Sequence, residues 1–362
     1  MPTISAGDKV LVSGANGFIG IWVVRRLLEK GYRVRGTVRS TDKGKFLEES
    51  FKSYGDKFEV FVVEDIVKAG AFDEAAKGVD AIVHTATPVH THAISPDGKN
   101  NPIKQYLMSK SYTPEMIIPA VNGTIGILKS ALKNRNSLKR VVVTSSCGAV
   151  LEVGVDKVFS DADWNDQAVR EIKEQGENAP ASSKYRASKT LAEKAAWEFY
   201  EKNKAEIKWD LAVIIPPHVF GPVIHDVTDV DSLNISMRTW YDVVLVDGKS
   251  KDFLTTQGSA YIDVRDAAEA HILAMEKEAA GGERIITPAG MFVWQDWLDT
   301  ARTLVPSPIP SHATLPAGYP GVPSKLTFGY DASKAIRILG LKYRSKEQLT
   351  RDTLADFEKL GW

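Results

Sequence analysis

With 362 residues, 43% of them hydrophobic and 25% charged, the chain has the make-up of a globular protein able to bury one or two sizeable cores. Its 46 lysines and arginines balance 46 aspartates and glutamates, which speaks against a polyanion-binding protein, so neither nucleic-acid nor membrane partners are expected. No apolar run reaches the roughly 18 residues of a membrane span; Met1-Pro-Thr-Ile-Ser-Ala-Gly-Asp8 lacks the form of a signal peptide, and the lone Cys147 rules out an intrachain disulfide, so a cytoplasmic protein is expected.

Short β-branched runs alternate with longer helical patterns through the first 215 residues. Strands are expected at 9–13, 32–38, 58–63, 81–85, 140–144 and 209–215, most of them nearly continuous apolar runs, as when both faces of a sheet are covered. Helices are expected over 18–30, 42–54, 71–77, 114–134 and 185–204. This rhythm predicts an α/β fold with a doubly wound parallel sheet, the Rossmann arrangement. The stretch 89–113 is polar and long for a connection, and reads as a lid or an insertion.

After Pro216-Pro217 the rhythm changes: proline and glycine become frequent, strands shorten (260–264, 283–287) and helices recur over 265–278, 293–304 and 346–359. The reading is a dinucleotide-binding domain over 1–215, rejoined by 257–288. A smaller mixed α/β C-terminal lobe, 216–256 and 289–362, would bind substrate.

Gly14-Ala-Asn-Gly-Phe-Ile-Gly20 places three glycines where the first strand hands over to the first helix. A diphosphate needs close backbone approach and free N–H groups at a helix start, and a tight glycine turn supplies both. The spacing is G-x-x-G-x-x-G, and no Lys-Ser/Thr follows, which excludes a P-loop. At the end of the second strand an acid would hold the ribose 2′-hydroxyl of NAD. This chain has Arg39 there, with Lys43 one turn on and Asp42 the only nearby acid, so a 2′-phosphate and hence NADP are expected.

A tyrosine four residues before a lysine puts a phenol and an ammonium on one helix face. Four such pairs occur: Tyr106–Lys110, Tyr185–Lys189, Tyr200–Lys204 and Tyr330–Lys334. Only Tyr185 opens the helix that follows the fifth strand, where a group can reach a cofactor beyond the carboxyl ends of parallel strands. The others read as packing or surface tyrosines. The fifth strand itself ends in Thr144-Ser145-Ser146, three hydroxyls at the same sheet edge.

In this order the motifs resemble the extended short-chain dehydrogenase/reductases, on the dihydroflavonol reductase-like branch and nearest to microbial NADPH-dependent aldehyde and ketone (carbonyl) reductases. The resemblance runs through nearly the whole chain and includes His84-Thr-Ala-Thr-Pro88, Ile215-Pro-Pro-His-Val-Phe-Gly-Pro222 and Tyr261-Ile-Asp-Val-Arg-Asp-Ala-Ala268. It implies Ser146, Tyr185 and Lys189 as catalytic residues. NADPH would be held by Gly14, Asn16, Gly17, Phe18, Ile19 and Gly20 of the turn, with Arg39 and Lys43 at the phosphate. Asp65 and Ile66 would flank the adenine, with Thr85, Ala86 and Thr87 after the fourth strand. Thr144 and Ser145, and Pro216 and Val219 on the nicotinamide side, complete the implied set. Leu151 stands where plant flavonoid reductases commonly carry Asn or Asp, which argues against a dihydroflavonol. Ser182-Ser-Lys-Tyr-Arg-Ala-Ser-Lys189 likewise lacks the cinnamoyl-CoA reductase motif.

The chemistry implied is hydride delivery to a carbonyl while Tyr185 gives a proton to its oxygen. A free phenol titrates near 10, so acting near neutrality asks for about 4 kcal/mol of stabilisation of the phenolate, to which the Lys189 ammonium contributes. Lys189 would also hold the nicotinamide ribose and Ser146 the carbonyl oxygen. The partner is a small carbonyl substrate and the protein a monomer or homodimer. A nucleotide-sugar epimerase or dehydratase on the same fold, or a non-catalytic NADP-sensing regulator, remain the alternatives. Cys147 reads as a small buried residue, Trp294 and Trp297 as core, and His90 with His92 as loop residues without a third metal ligand, so no metal is expected. Segments 147–165 and 217–240 are expected to wall the substrate.

Overall fold

Strands that are apolar on both faces need helices on both sides, and the computed structural model, which describes residues 3–86, 113–323 and 326–362, is built that way. β1 (Lys9–Ser13) lies near the middle of a seven-stranded sheet, paired in parallel with β2 (Arg33–Val38) on one side and β4 (Ala81–His84) on the other. β3 (Phe58–Val62) continues beyond β2, while β5 (Arg140–Thr144), β7 (Asp210–Ile215) and β10 (Arg284–Ile286) continue beyond β4, giving the order β10-β7-β5-β4-β1-β2-β3. The chain thus winds outward from β1 in both directions. Where the order reverses, between β1 and β4, the following loops part and leave a crevice at the carboxyl ends.

Two cores flank the sheet. Val10 and Val12 of β1 face one, and Leu11 between them faces the other, the two-residue period of a strand. Over the first core pack α1 (Phe18–Glu29) and α8 (Val264–Glu276). Over the second lie α3 (Thr113–Lys133) and α5 (Ala181–Asn203), with α4 (Asp166–Gln175) beside α5. α2 (Thr41–Ser50) covers β3. No helix among the described residues is long and apolar enough to cross a membrane.

A three-stranded sheet, β11-β9-β8, is formed by β8 (His218–Phe220), β9 (Gly258–Asp263) and β11 (Gly290–Val293). Around it stand α6 (Ile235–Val244), α7 (Lys251–Thr256), α9 (Trp294–Thr303) and α10 (Lys346–Leu360). Trp297 is fully buried there, 5.0 Å from Tyr261 and 5.3 Å from Phe220 between ring centres. The segment 257–288 is divided: β9 joins this smaller sheet, whereas α8 and β10 belong to the main one. A short parallel pair, β6 (Val158–Phe159) with β12 (Gly329–Tyr330), ties the loop after β5 to the C-terminal segment.

Arg140, wholly buried at the start of β5, bonds both carboxylate oxygens of Asp210 at the start of β7. It also donates to the carbonyls of Ala274, Lys277 and Glu278 at the end of α8. A cation is favoured where a helix leaves its carbonyls unpaired, so one side chain locks two strands and a helix at the edge remote from the crevice.

Three local expectations change. Residues 71–77 form successive turns rather than a helix. Gly70 and Gly78, both left-handed, leave too few residues between them to repay helix nucleation, although Phe72, Ala75 and Ala76 are buried. α5 starts at Ala181, not 185, because Pro180 caps it and a proline has no N–H to lose at that position. Tyr185 therefore sits in the second turn. The helices α4, α6 and α7 were not foreseen.

Candidate active site

Gly14 takes a left-handed conformation (φ +66°), and a side chain there would meet the backbone of Ala86 at 3.0 Å. A Cβ on Gly20 would lie 2.2 Å from the Gly14 carbonyl oxygen, so only glycine lets α1 begin directly against the turn. Gly17 caps α1 with no side-chain hydrogen bond, and the first turn carries no acid. Its leading N–H groups and the positive end of the helix dipole are thus left to an anion.

The crevice above this turn has a volume of about 890 Å³. Gly14, Asn16, Gly17, Phe18, Ile19, Gly20, Arg39, Asp65, Ile66, Thr85, Ala86, Thr144, Ser145, Ser146, Tyr185, Lys189, Pro216 and Val219 all line it. The glycine turn, Arg39 and the strand-end hydroxyls, far apart in sequence, thus share one cleft. Thr87 lies outside the described residues, as do Tyr106–Lys110, His90 and His92. Arg39 is exposed and makes no hydrogen bond or ion pair among the described residues, so its guanidinium is available to a phosphate. Lys43 departs from expectation. It does not line the crevice but pairs with Asp226 at 3.2 Å, a partner 183 residues away that no local pattern announces. These features fit a phosphorylated dinucleotide: a glycine cradle, an uncapped helix start and an unpaired arginine at the far end.

The three hydroxyls after β5 point to three different partners. Thr144 Oγ1 lies 2.7 Å from Nε2 of His271, whose Nδ1 is held by the Ala267 carbonyl. Ser145 donates to Glu193 on α5. Ser146 Oγ, which accepts from the Gly148 N–H at 3.1 Å, lies 3.4 Å from the Tyr185 hydroxyl. Of the three, only Ser146 meets the phenol.

Lys189, one turn along α5, is buried, with Nζ 6.0 Å from the centre of the Tyr185 ring. Burial pushes its ammonium down from 10.5 to about 8, against a pull upward from Glu193. The phenol departs from the sequence-based expectation. Burial pushes Tyr185 above its ordinary value near 10, and the Ser146 hydrogen bond only partly opposes this. Desolvation of the charged form wins.

The two rival pairs among the described residues are placed elsewhere. Tyr200 packs on Trp197 and Trp209, and Lys334, next to Tyr330, is engaged by Asp161 and Glu283. Cys147 is buried, which pushes its thiol well above the usual range. Of the two expected walls, 217–240 contributes Pro217, Val219, Asn234 and Ser236 to the crevice, but 147–165 contributes none of its residues. That loop is held down instead, with Asn165 donating to the carbonyls of Ala149 and Gly148. Asn234 lies within the expected wall 217–240 but was not singled out there: it sits where α6 begins, lines the crevice, and its Oδ1 is buried without a partner among the described residues. Its position before a helical run was the available signal.

The model of the NAD dependent epimerase/dehydratase family matches residues 10–287. A ketoreductase of Aspergillus niger is 34% identical, with 97% of each chain covered. The NADPH-dependent methylglyoxal reductase of Saccharomyces cerevisiae is 33% identical over 97% of this chain and 98% of its own. The crystal structure of the yeast methylglyoxal/isovaleraldehyde reductase complexed with NADPH superposes with a TM-score of 0.82 at 32% identity, covering 98% of this chain and 99% of that one. The chain therefore belongs to the NAD dependent epimerase/dehydratase family, within the extended short-chain dehydrogenase/reductases and beside the fungal carbonyl reductases.

Proposed function

We propose that the protein is an NADPH-dependent reductase that converts an aldehyde or ketone to the alcohol, with Tyr185 as proton donor. The observation that carries this is the meeting of Ser146 and Tyr185 at 3.4 Å, beside buried Lys189, in the same crevice that Arg39 closes at the phosphate end. The reductase names of the fungal relatives support the same reading. The single buried cysteine suits a reducing compartment, the cytoplasm.

When bound, NADPH supplies the hydride to the carbonyl carbon. Ser146 holds the carbonyl oxygen and offers a hydrogen bond as charge develops there. Tyr185 gives its phenolic proton to that oxygen. A phenol pushed above its usual value is fully protonated at neutral pH and so loaded for reduction, and the alkoxide it protonates is far more basic than phenolate. The phenolate left behind is stabilised by the Lys189 ammonium until a proton returns.

The test is NADPH consumption at 340 nm with methylglyoxal, aliphatic aldehydes, α-ketoesters and aryl ketones, with NADH in parallel. Turnover on at least one with preference for NADPH is expected. Tyr185→Phe should abolish turnover while NADPH binding, read by fluorescence, stays within about twofold, because the lost hydroxyl acts in the transition state. Retained turnover in that variant sinks the assignment. A purified protein that keeps a dinucleotide bound and consumes no NADPH on the panel would favour the epimerase alternative.

A further inference from the structure

Behind the catalytic crevice, between the ends of β4 and β5 and the helices α3 and α5, lies a small cavity of about 20 Å³. Lys189 and Glu193 share its wall with His84, Thr124, Thr144 and Ser145. Glu193 is 2% exposed, and a carboxylate so deep needs partners. It has them: Ser145 donates to Oε2 at 2.5 Å, Arg284 Nε to Oε1 at 2.5 Å, and Trp197 Nε1 to Oε1 at 3.4 Å. Arg284 is fixed in turn, its guanidinium stacked 3.4 Å from the Trp164 ring centre and donating to the carbonyls of Asp161 and Asp163.

We propose that Glu193 is a positioning residue for Lys189: its carboxylate, four residues along the same helix face and anchored from outside the helix by Ser145 and Arg284, keeps the ammonium charged in a buried site. The inference rests on the reading that Lys189 serves proton transfer by Tyr185. Positions i and i+4 on a helix are neighbours, so the carboxylate lies on the Lys189 side of α5. Its sign opposes the desolvation of the lysine.

The titratable groups around Lys189 among the described residues are few. His84 faces it from β4, and burial pushes that imidazole down to about 3, with Lys189 adding to the effect. Tyr185 and Glu193 share its helix, and Cys147 lies behind Ser146, its thiol kept protonated by burial and by Glu193. Helix α3 faces the cavity with Ala120 and Thr124. Arg284 of β10 stands beyond Glu193. Glu193 is thus the carboxylate on the cavity wall, with no second acid there among the described residues.

Two substitutions separate electrostatics from packing. Glu193→Gln keeps size and shape but removes charge, whereas Glu193→Asp keeps charge but shortens the arm. The readout is the pH dependence of kcat/KM for reduction, with thermal melting recorded for each variant. Glu193→Gln should move the basic limb down by about one pH unit or more, and Glu193→Asp should hold it within about 0.3. An unmoved limb in Glu193→Gln, an equal shift in Glu193→Asp, or failure of both variants to fold overturns the proposal in favour of a purely structural ion pair. Lys189→Met keeps the two readings apart. If it is inactive while Glu193→Gln retains the native limb, only the role of Glu193 fails; if it turns over normally, the underlying proton-transfer reading fails.

Discussion

Removing the Arg39 guanidinium tests the cofactor assignment most directly. The side chain is exposed at the end of β2, just before Ser40 caps α2, and has no protein partner among the described residues. Arg39→Ala therefore breaks no native hydrogen bond, and the fold should be indifferent to it. A hydrogen bond to a charged group contributes about 1.5–3 kcal/mol, and tenfold in affinity corresponds to about 1.4 kcal/mol. The loss of kcat/KM for NADPH should therefore be about 10- to 150-fold, larger at low salt because the contact is exposed. NADH, which lacks the 2′-phosphate, should change by no more than about twofold. Lys43 offers an internal control. Its exposed pairing with Asp226 is of a kind that contributes about 0–1 kcal/mol, so Lys43→Ala should alter NADPH use by about fivefold at most. The assay is initial velocity at subsaturating cofactor with one carbonyl substrate. Equal losses for both cofactors, or a larger effect from Lys43 than from Arg39, would refute the reasoning.

Other expectations follow from the same geometry. With Lys189 brought down to about 8 by burial, reduction should be at full rate below that pH and decline as pH rises through it, since the ammonium is lost there; a kcat/KM profile flat to pH 10 contradicts this. Cys147, buried and with its thiol pushed up, should stay silent toward a thiol reagent in the native protein at pH 7.5 and react once denatured, as a spectrophotometric titration would read. Arg140→Met leaves Asp210 buried without its cation and should cost about 3–5 kcal/mol in denaturant unfolding. Specific activity of the folded fraction should hold, because Arg140 lies at the opposite edge of the sheet.

What was legible in the sequence is what depends on short-range pattern. Val10, Leu11 and Val12 are completely buried, and their apolar run announced a strand covered on both faces. Gly14 and Gly20 announced the turn because no other residue fits there. The place of Tyr185 after the fifth strand announced that it would line the crevice, as Tyr200 and Tyr330 do not. Burial was not legible. The upward direction of the Tyr185 phenol, the downward one of Lys189 and the diversion of the Thr144 and Ser145 hydroxyls all arise from groups brought together only by folding. The pairing of Lys43 with Asp226 was not legible for the same reason, its partner being remote in the chain. Helix α4 was missed although its bounds are written locally, Asn165 capping Ala168 at 2.9 Å and left-handed Gly176 ending it, because it is short and mostly polar, with only Ala168, Val169 and Ile172 to mark an apolar face.

The phenol, the ammonium and the anchored carboxylate stand at 185, 189 and 193 along a single 23-residue helix whose backbone bonds fix their spacing. Pro217, Asn234 and Ser236, which also line the crevice, come from another part of the chain. Recutting that wall for bulkier or smaller guests would therefore leave the helical register of 185, 189 and 193 untouched.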